Sequence, residues 1–455
     1  MNDAKFMKKV ITYGTYDLLH QGHINLLRRA KALGDYLIVG VTNDNFDRNR
    51  GKLNVRNNVL ERVEAVKATG FADKIIIEDY VGQKIDDIQK YDVDIFAIGS
   101  DWEGKFDYLK EYCDVVYLPR TEGISSTQLR DESTTEIKLG IIGCGRVANR
   151  FPNEANIVSG IKVVAAYDTN TEAAASLAAQ SKDIQIYTNL SDFYKAVDAV
   201  YISTPHLTHY EYIKQCISKG KHVLCETPLV LKGERAKEVY ELAKQNDVIL
   251  MEANKTAHCP AFNHLMVMIK SGVIGEVVDV EASLSKLWDD DMSLREFDPK
   301  QAGGSMYELG SYPLLPILKL CGIEYQNLNI YSRMKDDVDM YTKGVFRFKN
   351  AVCSFKVGLG VKTEGNLVIS GTKGYAYVPA PWWKTEYFEL RYEDQNKNKK
   401  FFYPWDGAGL RYEIQEFISC IFNHRFSSAR LRRKESIAMA EIMQQFGERK
   451  NFMEI

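Results

Sequence analysis

Apolar and polar positions alternate in blocks over about the first 130 residues, and these blocks predict strands and helices in turn. Two apolar runs, KKVITYG and DYLIVGVTND, are each followed by a stretch with helical spacing, HINLLRRAKALG and NNVLERVEAVKATG. Three more short apolar runs follow, KIIIED, DIFAIG and DVVYLP. Such alternation predicts a parallel α/β sheet. Because ligands bind these sheets at the carboxyl ends of the strands, the residues after each strand are the first candidates for chemistry.

The same alternation starts again at residue 137. The stretch EIKLGIIGCGRVA is an apolar strand followed by a glycine turn and the start of a helix. KVVAAYDTN is predicted as the next strand, and DAVYISTPHLTHYEY and GKHVLCETPLVL each contain a further strand that ends in a short polar turn. A second parallel α/β domain therefore begins well inside the chain, and we expect the polar residues 132–136 to be a linker.

Composition limits the classes of protein to which the chain can belong. With 455 residues it is long enough for two or three domains, and 45% hydrophobic and 26% charged residues are typical of a globular protein. A net charge of −2 provides no general attraction to nucleic acid or to an anionic membrane. No apolar run approaches the ~20 residues of a membrane span. The N-terminus lacks the layout of a signal peptide, and the eight cysteines are scattered without a CxxC pair. We therefore expect a cytoplasmic protein with reduced thiols.

A candidate phosphate site follows the first strand, in GTYDLLHQGH at residues 14–23. Gly14 permits close approach of the backbone to a ligand, and Asp17 is a carboxylate suited to a magnesium ion that bridges phosphates. His20 and His23 are three residues apart at the start of a helix, so their side chains share one face. The helix N-terminus beside them favours anions. Together these groups suit a triphosphate; the alternative is that both histidines are ordinary cap or core residues.

A second candidate phosphate site lies near residue 120. Arg120 follows an apolar strand, and Gly123, Ser125, Ser126 and Thr127 come before the next helical stretch. A basic side chain with hydroxyls and backbone amides at a helix start suits phosphate. The hydroxyl residues could instead form an ordinary N-cap, and both interpretations can hold because capping and phosphate binding use the same geometry.

Three separated motifs resemble those of one family. The HxGH motif after the first strand, DWEGKFD and RTEGISST are similar to motifs of the glycerol-3-phosphate cytidylyltransferases, in the HxGH nucleotidyltransferase superfamily, and the likeness covers residues 8–130. It implies a Rossmann-like domain over residues 1–131. This domain would transfer CMP from CTP, accompanied by Mg²⁺, to a polyol phosphate and release pyrophosphate. His20 and His23 would stabilise the α-phosphate in the transition state.

The same resemblance implies further binding residues. Arg120, Ser125 and Thr127 would hold the β- and γ-phosphates. Lys52 matches a mobile phosphate-binding lysine, and Arg62 an arginine near the acceptor phosphate. For Lys52 and Arg62 the alternative is a solvated surface charge. The residues implied to bind CTP or the acceptor are Thr12, Gly14, Thr15, Tyr16, Asp17, Arg62, Asp101, Trp102, Thr121, Ser125 and Thr127.

The glycine turn of the second domain has a dinucleotide-binding pattern. Gly143, Gly145 and Ala148 occupy the G-x-G-x-x-A positions. Asp168 ends the next strand, 25 residues beyond Gly143, where a carboxylate binds the ribose hydroxyls of a dinucleotide. No arginine directly follows Asp168 to bind a 2′-phosphate, so NAD is favoured over NADP.

Four further motifs, STPHLTH, CETPLV, EANKTAHCPAF and GGSMYELGSYPL, resemble those of the Gfo/Idh/MocA oxidoreductases over residues 137–455. The resemblance implies a Rossmann NAD(P)-binding domain over residues 137–256, then an α+β substrate and oligomerisation domain over residues 257–455 with an open mixed sheet. It implies hydride transfer between a nicotinamide and a sugar or polyol carbon, and a homo-oligomer, either dimer or tetramer. The cofactor-binding residues implied are Gly143, Gly145, Arg146, Val147, Asp168, Ser203, Thr204, Pro205, His209, Glu226 and Thr227.

The chain departs from this family at one important position. The family motif E-K-P has a lysine that contacts substrate and cofactor, whereas residues 226–228 are E-T-P, and Thr227 supplies no cation. We expect Tyr312, in YELGSYP, to be the acid/base residue, with Lys255 as the cation that lowers the pKa of its phenol. Glu308 stands where the family motif has aspartate. The alternatives are that Lys255 is a surface lysine and Tyr312 a core aromatic residue.

The two resemblances together predict a bifunctional enzyme. The second part would reduce a sugar phosphate to an alditol phosphate with NAD(P)H, and the first would activate this product with CTP to a CDP-alditol for cell-surface polymers. In one alternative the reduction acts on the CDP-linked sugar. In another the second part is a non-catalytic module that binds NAD or supports assembly. A third, less favoured alternative is that the first part uses another nucleotide or acceptor.

Overall fold

A computed structural model describes residues 7–43, 55, 57–79, 83–119, 136–287, 294–403, 405 and 407–455 of the chain. The chain divides into two compact units, residues 1–135 and residues 136–455. Within these described ranges, no helix combines the length and the apolar character needed to cross a membrane.

The first unit is built on a parallel sheet. Its strands are β1 Lys9–Gly14, β2 Tyr36–Thr42, β3 Lys74–Glu78, β4 Ile95–Gly99 and β5 Asp114–Leu118, and its helices are α1 Gln21–Lys31, α2 Val59–Ala68 and α3 Gln83–Tyr91. The strand order is β3-β2-β1-β4-β5, and every neighbouring pair is parallel. Successive residues of a strand point to opposite faces, and Val10 and Ile11 of β1 accordingly lie in two different apolar clusters. The predicted parallel α/β fold is confirmed for this unit.

A second parallel sheet opens the other unit. Its strands are β6 Ile137–Ile142, β7 Ile161–Tyr167, β8 Gln185–Ile186, β9 Ala199–Ile202, β10 His222–Glu226 and β11 Leu250–Ala253, and its helices are α4 Phe151–Ala155, α5 Thr171–Ala178, α6 Leu190–Ala196, α7 His209–Ser218 and α8 Gly233–Gln245. The order β11-β10-β9-β6-β7-β8 is parallel throughout. The strand order reverses between β6 and β9, which is where such sheets bind ligands. The predicted Rossmann fold is confirmed.

The rest of this unit forms a nine-stranded sheet with helices. Its elements are α9 Lys255–His258, α10 Pro260–Lys270, β12 Val277–Ser285, α11 Ser305–Leu309, α12 Ser311–Cys321, β13 Asn327–Lys335, β14 Val338–Arg347, β15 Val352–Gly358, β16 Leu367–Gly371, β17 Tyr375–Val378, β18 Tyr387–Arg391, β19 Lys399–Phe402, α13 Leu410–Phe422, α14 Arg433–Gly447 and β20 Phe452–Glu454. The order is β19-β18-β17-β16-β12-β15-β14-β13-β20, in which β12 with β15 and β13 with β20 are parallel pairs. The predicted open mixed sheet is confirmed. Its core joins Phe355 of β15 to Phe262, Leu315 and Met443 of three helices.

Helix α13 leaves this sheet and completes the Rossmann core. Ile414 and Phe417 pack in one cluster with Leu139 of β6. At the start of the helix the buried Glu154 carboxylate of α4 accepts bonds from Arg411 Nε (3.0 Å) and Nη2 (2.8 Å) and from the backbone N–H groups of Ala408 and Arg411 (both 3.1 Å). Helix α13 therefore packs with the Rossmann domain that we expect over residues 137–256, although its sequence lies in the α+β domain that we expect over residues 257–455.

We predict that Glu154→Gln destabilises the second unit by about 3 kcal/mol, because it removes the buried negative charge to which the Arg411 guanidinium is hydrogen-bonded. Burial alone would raise the pKa of Glu154, but the hydrogen bonds and charge of Arg411 hold the pKa below its usual value. This stabilisation is therefore present above the ordinary carboxyl pKa and is lost as the pH falls through the lower folded value. Urea unfolding between pH 3 and 7 measures both effects.

The control is Lys237→Met, which breaks an exposed ion pair between Lys237 and Glu441 (2.6 Å). It should cost less than about 1 kcal/mol. Equal effects of the two substitutions would contradict a special role for the buried pair.

Candidate functional site

The structure brings His20 and His23 together where β1 ends. Their rings stack with centroids 4.0 Å apart. His20 is also the N-cap of α1, since its Nδ1 accepts the backbone N–H of Gly22 at 3.0 Å. Tyr16 has its ring edge against His23, with centroids 5.5 Å apart. The capping interpretation of His20 is therefore correct, and contact of the two histidines with a phosphate stays a prediction.

Arg62 and Asp17 hold the loops around the histidines. Arg62 is fully buried and donates from Nη1 to the carbonyl oxygens of Thr15 (2.6 Å) and Thr42 (2.8 Å), and from Nε to that of Asn57 (2.9 Å). Asp17 Oδ1 accepts the backbone N–H of Asn57 at 2.9 Å. The interpretation of Arg62 as a solvated surface charge is wrong, because its guanidinium crosslinks the ends of the loops. Its contact with an acceptor phosphate stays a prediction.

The described residues do not fit a resident magnesium ion. Among them no group of three or more His, Cys, Asp or Glu side chains is arranged to hold a metal. The Asp17 carboxylate is 1% exposed and already bonded to the amide of Asn57. A magnesium ion that arrives with CTP would depend chiefly on the triphosphate for its ligands.

The other predicted residues of this unit fall into two groups. Thr12 is buried inside β1, while Asp101 and Trp102 form a 3₁₀ turn directly after β4, beside β1 in the sheet. The predicted residues that lie outside the described part of the chain are Lys52, Arg120, Thr121, Ser125 and Thr127.

A cavity of about 740 Å³ lies in the second unit at the carboxyl edge of the Rossmann sheet. All the predicted cofactor residues line it, and so does Tyr312; these are Gly143, Gly145, Arg146, Val147, Asp168, Ser203, Thr204, Pro205, His209, Glu226, Thr227 and Tyr312. Lys255 is not among the lining residues. The structure thus gathers into one cavity residues that are spread over more than 160 positions of sequence (143 to 312).

The glycine turn of this cavity fits a dinucleotide. Gly143 has φ +88°, and a Cβ there would lie 2.5 Å from the carbonyl oxygen of Ser203, so only glycine suits this position. A Cβ on Gly145 would meet no protein atom within 4 Å, which leaves the space that a pyrophosphate needs. Asp168 is fixed by the backbone N–H groups of Cys144 (2.7 Å) and Asn170 (2.8 Å).

Comparison with known proteins assigns a family to each of the two units. A cytidylyltransferase-like family model matches residues 11–132. Glycerol-3-phosphate cytidylyltransferases from Bacillus spizizenii and Bacillus subtilis are 53% and 51% identical, and the matches cover 28% of this chain and 97% of each relative. Residues 137–254 match the NAD-binding Rossmann fold of the Gfo/Idh/MocA oxidoreductase family, and residues 262–377 match its C-terminal domain. The chain is a cytidylyltransferase fused to a Gfo/Idh/MocA oxidoreductase.

Relatives of the oxidoreductase part are more distant. A scyllo-inositol 2-dehydrogenase (NADP(+)) from Bacillus subtilis is 26% identical, over 68% of this chain and 95% of the relative. The structure of a 3-ketoreductase from Actinomadura kijaniata in complex with NADP and TDP-benzene aligns with a TM-score of 0.62 at 20% identity, over 70% of this chain and 99% of that chain. A UDP-N-acetylglucosamine 3-dehydrogenase from Acidithiobacillus ferrooxidans aligns with a TM-score of 0.58 at 19% identity, over 68% and 96% of the two chains. These two structures show the fold.

The Thr227 hydroxyl of the oxidoreductase part is hydrogen-bonded to the carboxyl group of Glu252. Its Oγ1 donates to Oε1 of Glu252 at 2.7 Å, and the same oxygen accepts the backbone N–H of Leu229 at 3.1 Å. Glu252 is 1% exposed. The position that carries a cation in the family motif therefore carries an uncharged hydroxyl, and its hydrogen bond holds the turn after β10.

The expectation that Lys255 lowers the pKa of Tyr312 is wrong. Burial raises the pKa of the Tyr312 phenol, and the negative charges of Glu226, Glu413 and Glu252 raise it further. Glu226 itself accepts a short hydrogen bond from the Tyr201 hydroxyl, and burial raises its pKa to about 7. The sequence did not reveal that acidic groups from several elements would surround the phenol.

Sequence reasoning also missed a charged cluster that lines the same cavity. His206 Nε2 lies 2.9 Å from Oε1 of Glu308, and Arg295 Nη1 lies 2.9 Å from the same oxygen. Burial alone would raise the pKa of Glu308, but His206 and Arg295 hold the pKa below its usual value. His206 stands in the STPHLTH motif, in which we singled out His209 instead. His209 is fully buried with its ring nitrogens 3.0 Å and 2.8 Å from the carbonyl oxygens of Pro228 and Thr204.

We predict that His20→Asn lowers the kcat of cytidylyl transfer about 100-fold with little change in stability. Asparagine caps helices as well as any residue, so the substitution removes the imidazole but keeps a cap. Turnover of CTP and thermal unfolding are measured on the same samples. Thr69→Ala, which removes a hydroxyl bonded to the end of α2 (2.6 Å), is the control for a purely structural change. A turnover within threefold of wild type would show that His20 serves only as a cap.

We predict that Gly145→Ala weakens NAD(P)H binding at least 10-fold without destabilising the protein, because the added methyl meets cofactor and no protein atom. Gly143→Ala should also cost more than about 1 kcal/mol of stability, since its φ is positive. Fluorescence titration with NADH and NADPH gives the affinities. Gly99→Ala, in open space in the first unit, is the matched control. Full affinity in Gly145→Ala would mean that the dinucleotide does not approach this turn.

Proposed function

We propose that this chain makes a CDP-alditol in two steps. The second unit reduces a sugar phosphate to an alditol phosphate with a nicotinamide cofactor, and the first unit then transfers CMP from CTP to that alditol phosphate. The product would be an activated donor for cell-surface polymers. The observation that carries this proposal is that one chain joins the two families. The first unit is about half identical to enzymes named for glycerol 3-phosphate, and the second resembles dehydrogenases named for a polyol and for sugars.

Cytidylyl transfer requires positioning and charge neutralisation. An oxygen of the acceptor phosphate attacks the α-phosphorus of CTP, and the bond from this phosphorus to the pyrophosphate oxygen breaks. In our proposal His20 and His23 hold the α-phosphate oxygens as charge accumulates there. The stacked rings and the cap on α1 fix both imidazoles before substrate arrives, so little reorganisation is needed.

The reduction requires a proton donor at the carbonyl oxygen. The bound nicotinamide supplies the hydride, and Tyr312 donates its phenolic proton to the oxygen that becomes a hydroxyl. Tyr312 lines the cavity, and its hydroxyl makes no hydrogen bond to another described residue. A phenol is protonated at neutral pH, and burial raises the pKa of Tyr312 further, so its proton is present for reduction of a carbonyl.

Cofactor choice depends on Asp168 in this proposal. Its carboxylate is held by two backbone amides and lies where a 2′-phosphate of NADP would bring a second negative charge. We propose NAD as the cofactor, while relatives named for NADP(+) make NADP the alternative. We further propose a cytoplasmic homo-oligomer, either dimer or tetramer.

One observation favours a second candidate function. Thr227 replaces the motif lysine and bonds to Glu252, so the site lacks the usual cation. A second unit that binds NAD without hydride transfer, as a sensor or an assembly module, fits this substitution. A further candidate is reduction of the CDP-linked sugar, with the two steps in reverse order.

A coupled assay tests the proposal. The full chain is incubated with CTP and with NADH or NADPH over a panel of three- to six-carbon sugar phosphates, and products are followed by mass spectrometry. We expect nicotinamide oxidation first and a CDP-alditol afterwards. Tyr312→Phe should reduce nicotinamide oxidation at least 100-fold and leave transfer to added glycerol 3-phosphate unchanged. Tyr307→Phe is the matched control, because Tyr307 packs in the core.

Three outcomes would contradict it. No nicotinamide oxidation with any sugar phosphate, despite bound NAD(H), supports the sensor module. A CDP-sugar that appears before any reduced product reverses the order of the steps. Unchanged oxidation in Tyr312→Phe removes the phenol from the mechanism.

A further inference from the structure

Lys255 places a positive charge inside the second unit without a partner. The side chain is half-buried, and its ammonium makes no ion pair or hydrogen bond with any described residue. Burial lowers the pKa of Lys255, while Glu413 and Glu226 act in the opposite direction and the charges of Lys384 and Arg150 lower it further. A desolvated cation without a hydrogen-bonded anion is costly, so this position calls for an anionic ligand.

Two hydrogen bonds bring Lys384 to the same place. Thr256, directly after Lys255, donates from Oγ1 to the carbonyl oxygen of Trp383 at 2.7 Å, and Trp383 directly precedes Lys384. Cys259 Sγ donates to the carbonyl oxygen of Thr385 at 3.4 Å. These two hydrogen bonds hold the segment after β11 against the turn before β18. Lys255 lies in the first of these segments and Lys384 in the second.

Helix packing places Arg150 near Lys255, and the buried pair of Glu154 and Arg411 fixes this packing. Arg150 immediately precedes α4, which Glu154 fixes to the start of α13. Helix α13 in turn packs against α9, the short helix that begins at Lys255. Arg150 and Lys384 are exposed, and neither makes a side-chain ion pair or hydrogen bond with a described residue.

The acidic residues nearby leave these three cations without a partner. Glu413, in the first turn of α13, is fully buried, and neither carboxyl oxygen has a hydrogen-bond partner among the described residues. Burial raises the pKa of Glu413 well above its usual value, and the charge of Glu226 adds to this. Neither carboxyl oxygen of Glu413 therefore forms an ion pair with Lys255.

A second observation indicates a ligand with hydroxyl groups. Asn254 directly precedes Lys255 and is fully buried, and neither its side-chain oxygen nor its nitrogen has a partner among the described residues. Buried amides and carboxyls are normally hydrogen-bonded, so unpaired ones indicate a missing polar partner. The Asn254 amide offers both donor and acceptor capacity, which suits sugar hydroxyls.

We propose that Lys255, Lys384 and Arg150 bind the phosphate group of a sugar-phosphate substrate of the second unit. This assignment rests on the proposed function and specifies its substrate, a phosphate monoester rather than a free sugar. Phosphate oxygens suit a guanidinium and two ammonium groups. Lys255 is then a binding residue and not the electrostatic partner of Tyr312.

Binding of inorganic phosphate tests the site without turnover. The full chain is titrated with phosphate by calorimetry, with saturating CTP to occupy the first unit. Lys384→Met and Arg150→Met should each weaken phosphate binding at least 10-fold. Lys182→Met, an exposed lysine of the same unit with no ion pair among the described residues, should bind phosphate as wild type does. Because Lys384 and Arg150 are exposed, thermal unfolding should be unchanged in both variants. Lys255→Met, at the half-buried residue of the three, is titrated with phosphate in the same way.

Kinetics then identify the source of the phosphate group. For the sugar phosphate that the wild-type chain reduces, we expect KM to rise at least 10-fold in Lys384→Met and Arg150→Met with kcat nearly unchanged. Unchanged phosphate affinity in both variants overturns the site. A rise in KM that occurs only for a CDP-linked sugar also overturns it, because the group bound is then a pyrophosphate. If the coupled reaction fails but phosphate binding is lost in the variants, the site stands and the proposed pathway does not.

Discussion

The buried pair of Glu154 and Arg411 is the constraint on which the second unit depends. Its four hydrogen bonds fix the start of α13 to α4, and α13 then inserts Ile414 and Phe417 into the core of the Rossmann sheet. A helix from the end of the chain thereby becomes part of a domain that starts near residue 137. Because α13 also carries Glu413, the same packing sets the charges around the strand ends.

The chemistry of the oxidoreductase site follows from buried acids that several elements bring together. Glu226 ends β10, Glu252 lies in β11 and Glu413 begins α13, and all three act on the phenol of Tyr312. Thr227 turns its hydroxyl to Glu252 and so adds no positive charge. The phenol is therefore influenced by acidic groups from three elements, whereas Lys255 does not line the cavity.

The first unit uses the same edge of a parallel sheet for a different task. His20 and His23 follow β1, while Asp101 and Trp102 follow β4, the neighbour of β1 in the sheet. Rigid strands and a capped helix position the imidazoles, and the fully buried Arg62 ties together the loops that surround them. Positioning by buried hydrogen bonds is what a transfer reaction without a covalent intermediate requires.

The sequence alone determined both parallel sheets, the order of the two enzyme families and part of the lining of the cavity at the Rossmann sheet. These features depend on local patterns, such as β-strand runs, the glycine turn that contains Gly143 and the spacing of His20 and His23. Tertiary structure decided the rest. The burial of Arg62, the cluster of His206 with Arg295 and Glu308, and the raised pKa of Tyr312 all depend on residues far apart in the chain. Charge, unlike periodicity, acts through space, so a pKa depends on every charged group that folding brings near. The spacing of residues along the chain does not predict that Glu413 will raise the pKa of Tyr312, which lies 101 positions earlier.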